Sequence, residues 1–211
     1  MTGRFITLEG GDGAGKTTQA ELLTAWLEEH GRTVVRTREP GGTELGVRIR
    51  EIVLHERGHI APRAEALLYA ADRAHHVETL VRPAIARGDV VLQDRYFDSS
   101  VAYQGVARGL GAEHVRSVSE WASDGLVPDC TILLDLDVTV GRARVAAARG
   151  DTFDRLESEA AAFHETVRHA FLDMAAAEPE RFLVVDAGAP AAEVQRAIRA
   201  GVGTLVGIDA T

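Results

Sequence analysis

Lysine is nearly missing from this chain: Lys16 is the only one, and arginine supplies the other 22 of the 23 basic residues. Cysteine is as scarce. Cys130, alone in an apolar run, excludes an internal disulfide framework and fits a reducing, cytoplasmic setting. No apolar stretch approaches the ~18 residues of a membrane span, and the N-terminus enters strand-like sequence at once, so neither a span nor a signal peptide is expected. Basic charge is in deficit, with 23 Lys+Arg against 32 Asp+Glu and a net charge of -9. That balance argues against a nucleic-acid or membrane-surface binder, because nothing offsets repulsion from the phosphates of such a partner. Repeats and low-complexity linkers are absent. With 211 residues, the chain is long enough for one well-buried α/β domain and too short for two full-sized ones.

What is present is an alternation of short apolar runs with longer helical patterns, the signature of a parallel sheet flanked by helices. The predicted strands are Arg4–Glu9, Thr33–Arg36, Val90–Gln93, Thr131–Asp135 and Phe182–Val185. The predicted helices are Thr17–His30, Thr43–Leu54, Pro62–Arg87, Glu113–Ser123, Thr139–Arg149, Leu156–Ala177 and Ala191–Leu205. Gly150-Asp151-Thr152 reads as a mobile break between two of them, and Trp26 and Trp121 read as packing residues. The pairs His55/His59 and His75/His76 do not make a zinc site: Gly58 interrupts the first, and adjacent residues do not face together.

The single lysine falls in Gly10-Gly11-Asp12-Gly13-Ala14-Gly15-Lys16-Thr17, which satisfies G-x-x-x-x-G-K-[ST] between a strand and a helix. Backbone N–H groups of Gly10, Gly11, Asp12, Gly13, Ala14 and Gly15 and of the helix start at Lys16, Thr17 and Thr18 are expected to converge on nucleotide phosphates. Lys16 supplies a compact charge that a wider guanidinium cannot replace, and Thr17 is placed to hold Mg²⁺. The third strand runs into Asp94-Arg95, an apolar strand ending in a carboxylate that contacts Mg²⁺ directly or through water, followed by an arginine able to face a phosphate. An Asn-Lys-x-Asp guanine-reading motif is missing, which disfavours a GTPase switch. A kinase of a small acceptor and an ATPase-driven switch remain.

Four segments carry a resemblance that narrows this choice. Asp94-Arg95-Tyr96-Phe97-Asp98-Ser99-Ser100-Val101-Ala102-Tyr103-Gln104 resembles the signature segment of bacterial thymidylate kinases. Arg38-Glu39-Pro40-Gly41-Gly42-Thr43, Leu67-Leu68-Tyr69-Ala70-Ala71-Asp72-Arg73 and Phe153-Asp154-Arg155-Leu156-Glu157 are similar to three further family segments. The resemblance implies a P-loop nucleoside monophosphate kinase fold in one domain, with sheet order 2-3-1-4-5 and a lid near 142–155. It implies phosphoryl transfer from ATP to dTMP, Mg²⁺ dependence and a homodimer joined through helices.

Tyr69 and Arg73, four apart on a predicted helix, project from one face, beside a stripe of Leu67, Ala70, Ala74, Val77 and Val81. The resemblance gives Tyr69 the place of a ring that stacks on thymine and Arg73 that of the group reading the base. It assigns Asp12 to the 3′-hydroxyl, Tyr103 to crowding the 2′ position, and Ser99 and Gln104 to the neighbourhood of the base. Glu39 and Pro40 belong to the acceptor loop, and Asp154 and Glu157 approach the acceptor on lid closure. Gly13 stands where one branch of the family carries a catalytic arginine, so the chain resembles the branch whose arginines lie in the lid: Arg142, Arg144 and, as the expected catalytic contact, Arg149. No side chain stands out as a general base, and none is required. A phosphate monoester with a second pKa of about 6 is already largely ionised at neutral pH. The rival readings are a kinase of a different monophosphate or hydroxylated metabolite, and a nucleotide-dependent switch that hydrolyses ATP without an acceptor.

Overall fold

The computed structural model describes residues 3–56, 58–149 and 154–208, with the side chain of Arg149 outside that set. Strands β1 (Arg4–Glu9), β2 (Val34–Arg38), β3 (Val90–Asp94), β4 (Cys130–Asp135) and β5 (Phe182–Asp186) form one parallel sheet in the order β2-β3-β1-β4-β5. The order is the expected one, and each strand lies within two residues of its expected bounds. β1, β3 and β4 are buried on both faces, which is why they read as unbroken apolar runs rather than alternating ones.

Helices α1 (Lys16–Glu29) and α9 (Ala191–Val206) cover one face, packing Leu23, Leu27, Ile198 and Val202 on Ile6, Leu8 and Ile132. The remaining helices are α2 (Glu44–His55), α3 (Pro62–His76), α4 (Arg82–Ala86), α5 (Phe97–Ser100), α6 (Ala112–Ala122), α7 (Val138–Arg149) and α8 (Ala161–Ala177). Two further clusters involve several of these: one groups Val53, Tyr103, Phe171 and Phe182, the other Phe5, Val77, Val91 and Phe97.

The register decides where chemistry can occur. Leu8 pairs with both Asp94 and Ile132, so the loop after β1 and the Asp94–Arg95 corner leave the sheet side by side, at the carboxyl edge where open α/β sheets bind ligands.

Several expectations are corrected. The stretch 62–87 is not one regular helix: between α3 and α4 the turn Val77–Val81 is π-helical, with Arg82 N–H bonding Val77 O. Pro83 follows directly, and because it has no N–H to give, a widened turn costs little there. The helix expected from Leu156 starts at Ala161. Residues 154–159 form a turn instead, in which Asp154 Oδ1 accepts from the backbone N–H groups of Leu156 and Glu157, both at 2.9 Å, while Glu157 Oε2 accepts from Asp154 N–H at 3.0 Å. A short polar side chain has outcompeted the apolar periodicity. The segment after Asp94, for which no helix was expected, forms α5 and a π-helical stretch, Val101–Ala107. Its base is anchored by Arg181, which holds Asp98 bidentately at 2.8 and 2.9 Å.

Trp121, expected to pack, is 85% exposed, and Leu67, in the apolar stripe of α3, is 59% exposed. Trp26 is buried as expected. The break expected at Gly150-Asp151-Thr152 lies outside the described residues.

Candidate active site

The chain leaves β1 through Gly10, turns, and enters α1 through Gly15, whose φ of 92° puts it in the left-handed region. Gly13 has no room for a side chain: a Cβ there would sit 2.3 Å from the carbonyl oxygen of Gly141 in α7. The absence of an arginine at that position is therefore built into the packing of the loop against α7. Lys16 is buried within its own loop, its Nζ donating to the carbonyls of Gly10 at 3.0 Å and Gly11 at 2.9 Å. Burial, reinforced by the nearby Arg95 charge, pulls its pKa below the ordinary lysine range. Thr17 lines the same cleft, and Thr18 lies beside it on the exposed start of α1.

Opposite the loop, Arg95 adopts φ 67°, unusual for a side chain of this size. The conformation is held from several directions. Its N–H donates to Leu8 O at 3.0 Å, its carbonyl accepts from Gln93 Nε2 at 2.9 Å, and its guanidinium donates to Asp12 Oδ1 at 2.7 Å and Ser99 Oγ at 3.1 Å. The ring of Tyr103 lies 5.2 Å from the guanidinium carbon. Burial alone would raise the Asp12 carboxyl, but Arg95 and Lys16 outweigh it and hold the group below the usual carboxylate range. Asp94, at the end of β3, has a buried Oδ1 with no hydrogen-bond partner.

Glu9 was not singled out from the sequence, yet it is the pin of this corner. Its Oε1 accepts from the N–H groups of Tyr96 at 2.7 Å and Ser99 at 3.3 Å, and its Oε2 from the Ser99 hydroxyl at 2.6 Å. Complete burial and the neighbouring Asp98 push its pKa up to about 7. An acid whose folded pKa is raised stabilises the fold fully below its unfolded value and loses that contribution as pH rises through the folded one. Glu9→Gln, which keeps the protonated shape, is expected to gain on the wild type by about 2–3 kcal/mol between pH 5 and pH 8. Urea melts across that range check this; a difference that stays flat with pH would contradict it.

The end of the cleft away from the loop is built from α3, the loop after β2, and the π-helical stretch. Tyr69, Arg73, Glu39, Pro40, Ser99, Ser100, Tyr103, Gln104, Asp154 and Glu157 all line the same cleft as Lys16, Thr17, Asp94 and Arg95, around a volume of ≈ 370 Å³. The π-helical winding is what turns Tyr103 and Gln104 inward together; Gln104 Nε2 donates to Glu65 at 2.8 Å. Arg73 is fully buried and donates to Glu39, Ser119 and Ser100, each at 3.0 Å. Burial raises the hydroxyls of Tyr69 and Tyr103 above the usual phenol range, so both rings stay neutral.

The arginines of α7 divide. Arg144 lies in the cleft, its Nη1 donating to Ala187 O at 3.1 Å and reaching Gly13 O at 3.5 Å. Arg142 does not line the cleft. It donates to Glu159 O at 3.0 Å and borders a smaller hollow that it shares with Gly10, Gly11, Asp12, Asp135, His164 and Arg168. Arg149 ends α7, and its side chain lies outside the described residues. The Ser99 hydroxyl, within the cleft lining, braces Arg95 and Glu9, and Ser100 is the serine that meets Arg73. Arg38 and Arg50 line the cleft as well, Arg50 donating to Pro40 O at 3.1 Å. Arg50 carries no sequence signal, since it is one arginine among many on an amphipathic helix.

The comparisons with known proteins agree with this geometry. A family model described as thymidylate kinase matches residues 8–198. The thymidylate kinase of Clavibacter michiganensis subsp. michiganensis is 67% identical over 211 residues, covering all of both chains. That of Leifsonia xyli subsp. xyli is 68% identical over 197 residues, 93% of each chain, and that of Deinococcus radiodurans 52% over 200 residues, 95% of this chain and 96% of its own. Among solved structures, thymidylate kinase from Ehrlichia chaffeensis superposes with a TM-score of 0.73 at 31% identity, over 88% of this chain and 93% of that one. The family model over residues 8–198 and relatives 52–68% identical over nearly the whole chain establish that the chain belongs to the thymidylate kinase family.

Proposed function

We propose that the cleft transfers the γ-phosphoryl group of ATP to the 5′-phosphate of dTMP, giving ADP and dTDP, with the residue roles that follow. The observation that carries the reading is the two-ended cleft, with Lys16, Asp94 and Arg95 at one end and Tyr69, Arg73 and Gln104 at the other.

ATP phosphates lie over the loop 10–15 and the start of α1, with Lys16 and Arg144 on the donor side. Thr17 and Asp94 would hold Mg²⁺, which would supply charge neutralisation for the phosphates; the buried Oδ1 of Asp94, without a hydrogen-bond partner, suits a hard cation. Arg95 faces the phosphates from the acceptor side. Asp12, kept ionised by Arg95 and Lys16, accepts the 3′-hydroxyl of the acceptor sugar, and Tyr103 closes the space a 2′-hydroxyl would occupy. Tyr69 stacks on the base and Arg73 donates to its edge. Asp154 and Glu157 approach the acceptor as the lid, 142–155, closes, bringing Arg149 to the transferred group. Because the nucleophile is a phosphate oxygen, in-line placement and cationic neutralisation suffice without a general base.

One coupled assay with dTMP, dUMP, UMP and AMP as acceptors tests the substrate. The dTMP rate at sub-saturating acceptor is expected to lead, and AMP outrunning it would refute the roles given to Tyr69, Arg73 and Tyr103.

The protein works as a homodimer in the cytoplasm in this reading. Among the described residues no helix is long and apolar enough to cross a membrane. α3 packs beside α6, and their outer faces expose Leu67 at 59%, Val118 at 37% and Trp121 at 85%, an apolar area suited to a second copy. Trp121→Glu is expected to shift the dimer to monomers at micromolar concentration in light scattering. An unchanged mass would contradict this face as the joint.

A further inference from the structure

Arg73 is the inner end of a chain of buried polar groups that begins on the sheet. Its Nε donates to Glu39 Oε2 at 3.0 Å, and the second carboxylate oxygen, Oε1, lies 3.0 Å from His76 Nδ1. His76 Nε2 lies 2.6 Å from the hydroxyl of Thr37 on β2. Partner chemistry fixes the tautomer. A carboxylate can only accept, so Nδ1 carries a proton; in the neutral ring Nε2 then accepts from the Thr37 hydroxyl. His76 is 0% exposed, Glu39 4% and Arg73 1%. Gly42 packs on the outer junction, where a Cβ would meet both His76 Nε2 and Thr37 Oγ1 at 2.4 Å.

We propose that His76 is a positioning residue for acceptor binding, anchoring the Glu39 carboxylate that fixes the plane in which Arg73 faces the cleft. The inference rests on the reading of Arg73 as the base-contacting group. Three of the five guanidinium N–H groups are committed to Glu39, Ser100 and Ser119, which leaves one on each terminal nitrogen to point elsewhere. Where those two point depends on the plane of the guanidinium, which the Glu39 carboxylate sets together with Ser100 and Ser119. The terminal torsion of a glutamate is broad and weakly restrained. One hydrogen bond to Arg73 would let both groups rock together; the second, from His76, removes that freedom. His76 itself is absent from the cleft lining, so its effect on substrate reaches the acceptor only through Glu39 and Arg73.

The test measures KM for dTMP and for ATP, with thermal melts, in the wild type, His76→Leu, His76→Asn, Arg73→Ala and the double variant Arg73→Ala/His76→Leu. His76→Leu is expected to raise KM for dTMP about tenfold while KM for ATP stays within about twofold. Asparagine, whose amide nitrogen overlays Nδ1, should recover most of the loss. In the Arg73→Ala background His76→Leu should add less than about twofold, because neighbours acting in series are not additive. An undiminished effect of His76→Leu in that background, or an equal rise in KM for ATP, overturns the inference and leaves the reading of Arg73 intact. Arg73→Ala with an unchanged KM for dTMP overturns both. If His76→Leu fails to fold, Thr37→Val carries the test: it removes only the outer hydroxyl and must raise KM for dTMP about two- to threefold. No change there overturns the inference.

Discussion

Lys16→Ala is expected to lower kcat by about 10³-fold while the melting temperature changes little. The kinetic effect is large because the ammonium is the one compact cation in a loop of backbone donors, buried and already shifted below the ordinary lysine range. A charge held in low dielectric and aimed where negative charge concentrates acts far more strongly than the same charge in water. The fold should tolerate the loss, since the lysine's hydrogen bonds are to the carbonyls of Gly10 and Gly11 at the open edge of the sheet. Lys16→Arg should recover little, because a planar fork is wider than the space under the loop. Steady-state kinetics with Mg·ATP and dTMP decide the matter; a variant within tenfold of the wild type would remove Lys16 from the transition state.

Arg95→Ala is expected to have an effect of similar size, about 10³-fold in kcat, with an added rise in KM for dTMP. Two separate consequences combine. The guanidinium is lost from the face opposite Lys16, and Asp12 loses the partner 2.7 Å away that keeps its carboxylate ionised. Arg95→Lys would restore charge but not the fork that reaches Asp12 and Ser99 together. Because Arg95 sits at φ 67°, a Gly variant serves as the control for backbone strain. Arg95→Gly should be as inactive as Arg95→Ala yet more stable, by about 1 kcal/mol. Equal activity in the wild type and both variants would place the arginine in the scaffold only.

The fold was legible because parallel strands buried on both faces write themselves as apolar runs, and because the crossover helices are long. The loop at one end of the cleft was legible for a related reason. A lysine among so many arginines is a rare symbol, and the loop around it has fixed spacing. Arginines gave the opposite outcome. Arg50 lines the cleft and Arg142 does not, although both lie on amphipathic helices with nothing in their spacing to tell them apart. Glu9 and Ser100 were missed since each acts through a contact with a residue far along the chain, Tyr96 or Arg73, that no local pattern records. The helix start at Ala161 was misplaced because one carboxylate, Asp154, captures two N–H groups. The exposure of Trp121 has the same lesson in reverse: periodicity marks an apolar face but does not say whether the chain itself covers it.

The central claim is that both nucleotides occupy one cleft and that the phosphoryl group passes directly between them. Incubating the protein with Mg²⁺ and γ-³²P-labelled ATP, with and without dTMP, reads this out. The account predicts label appearing in dTDP in step with ADP, and little ADP formed when dTMP is left out. Label released as inorganic phosphate at the same rate whether or not dTMP is present would contradict it.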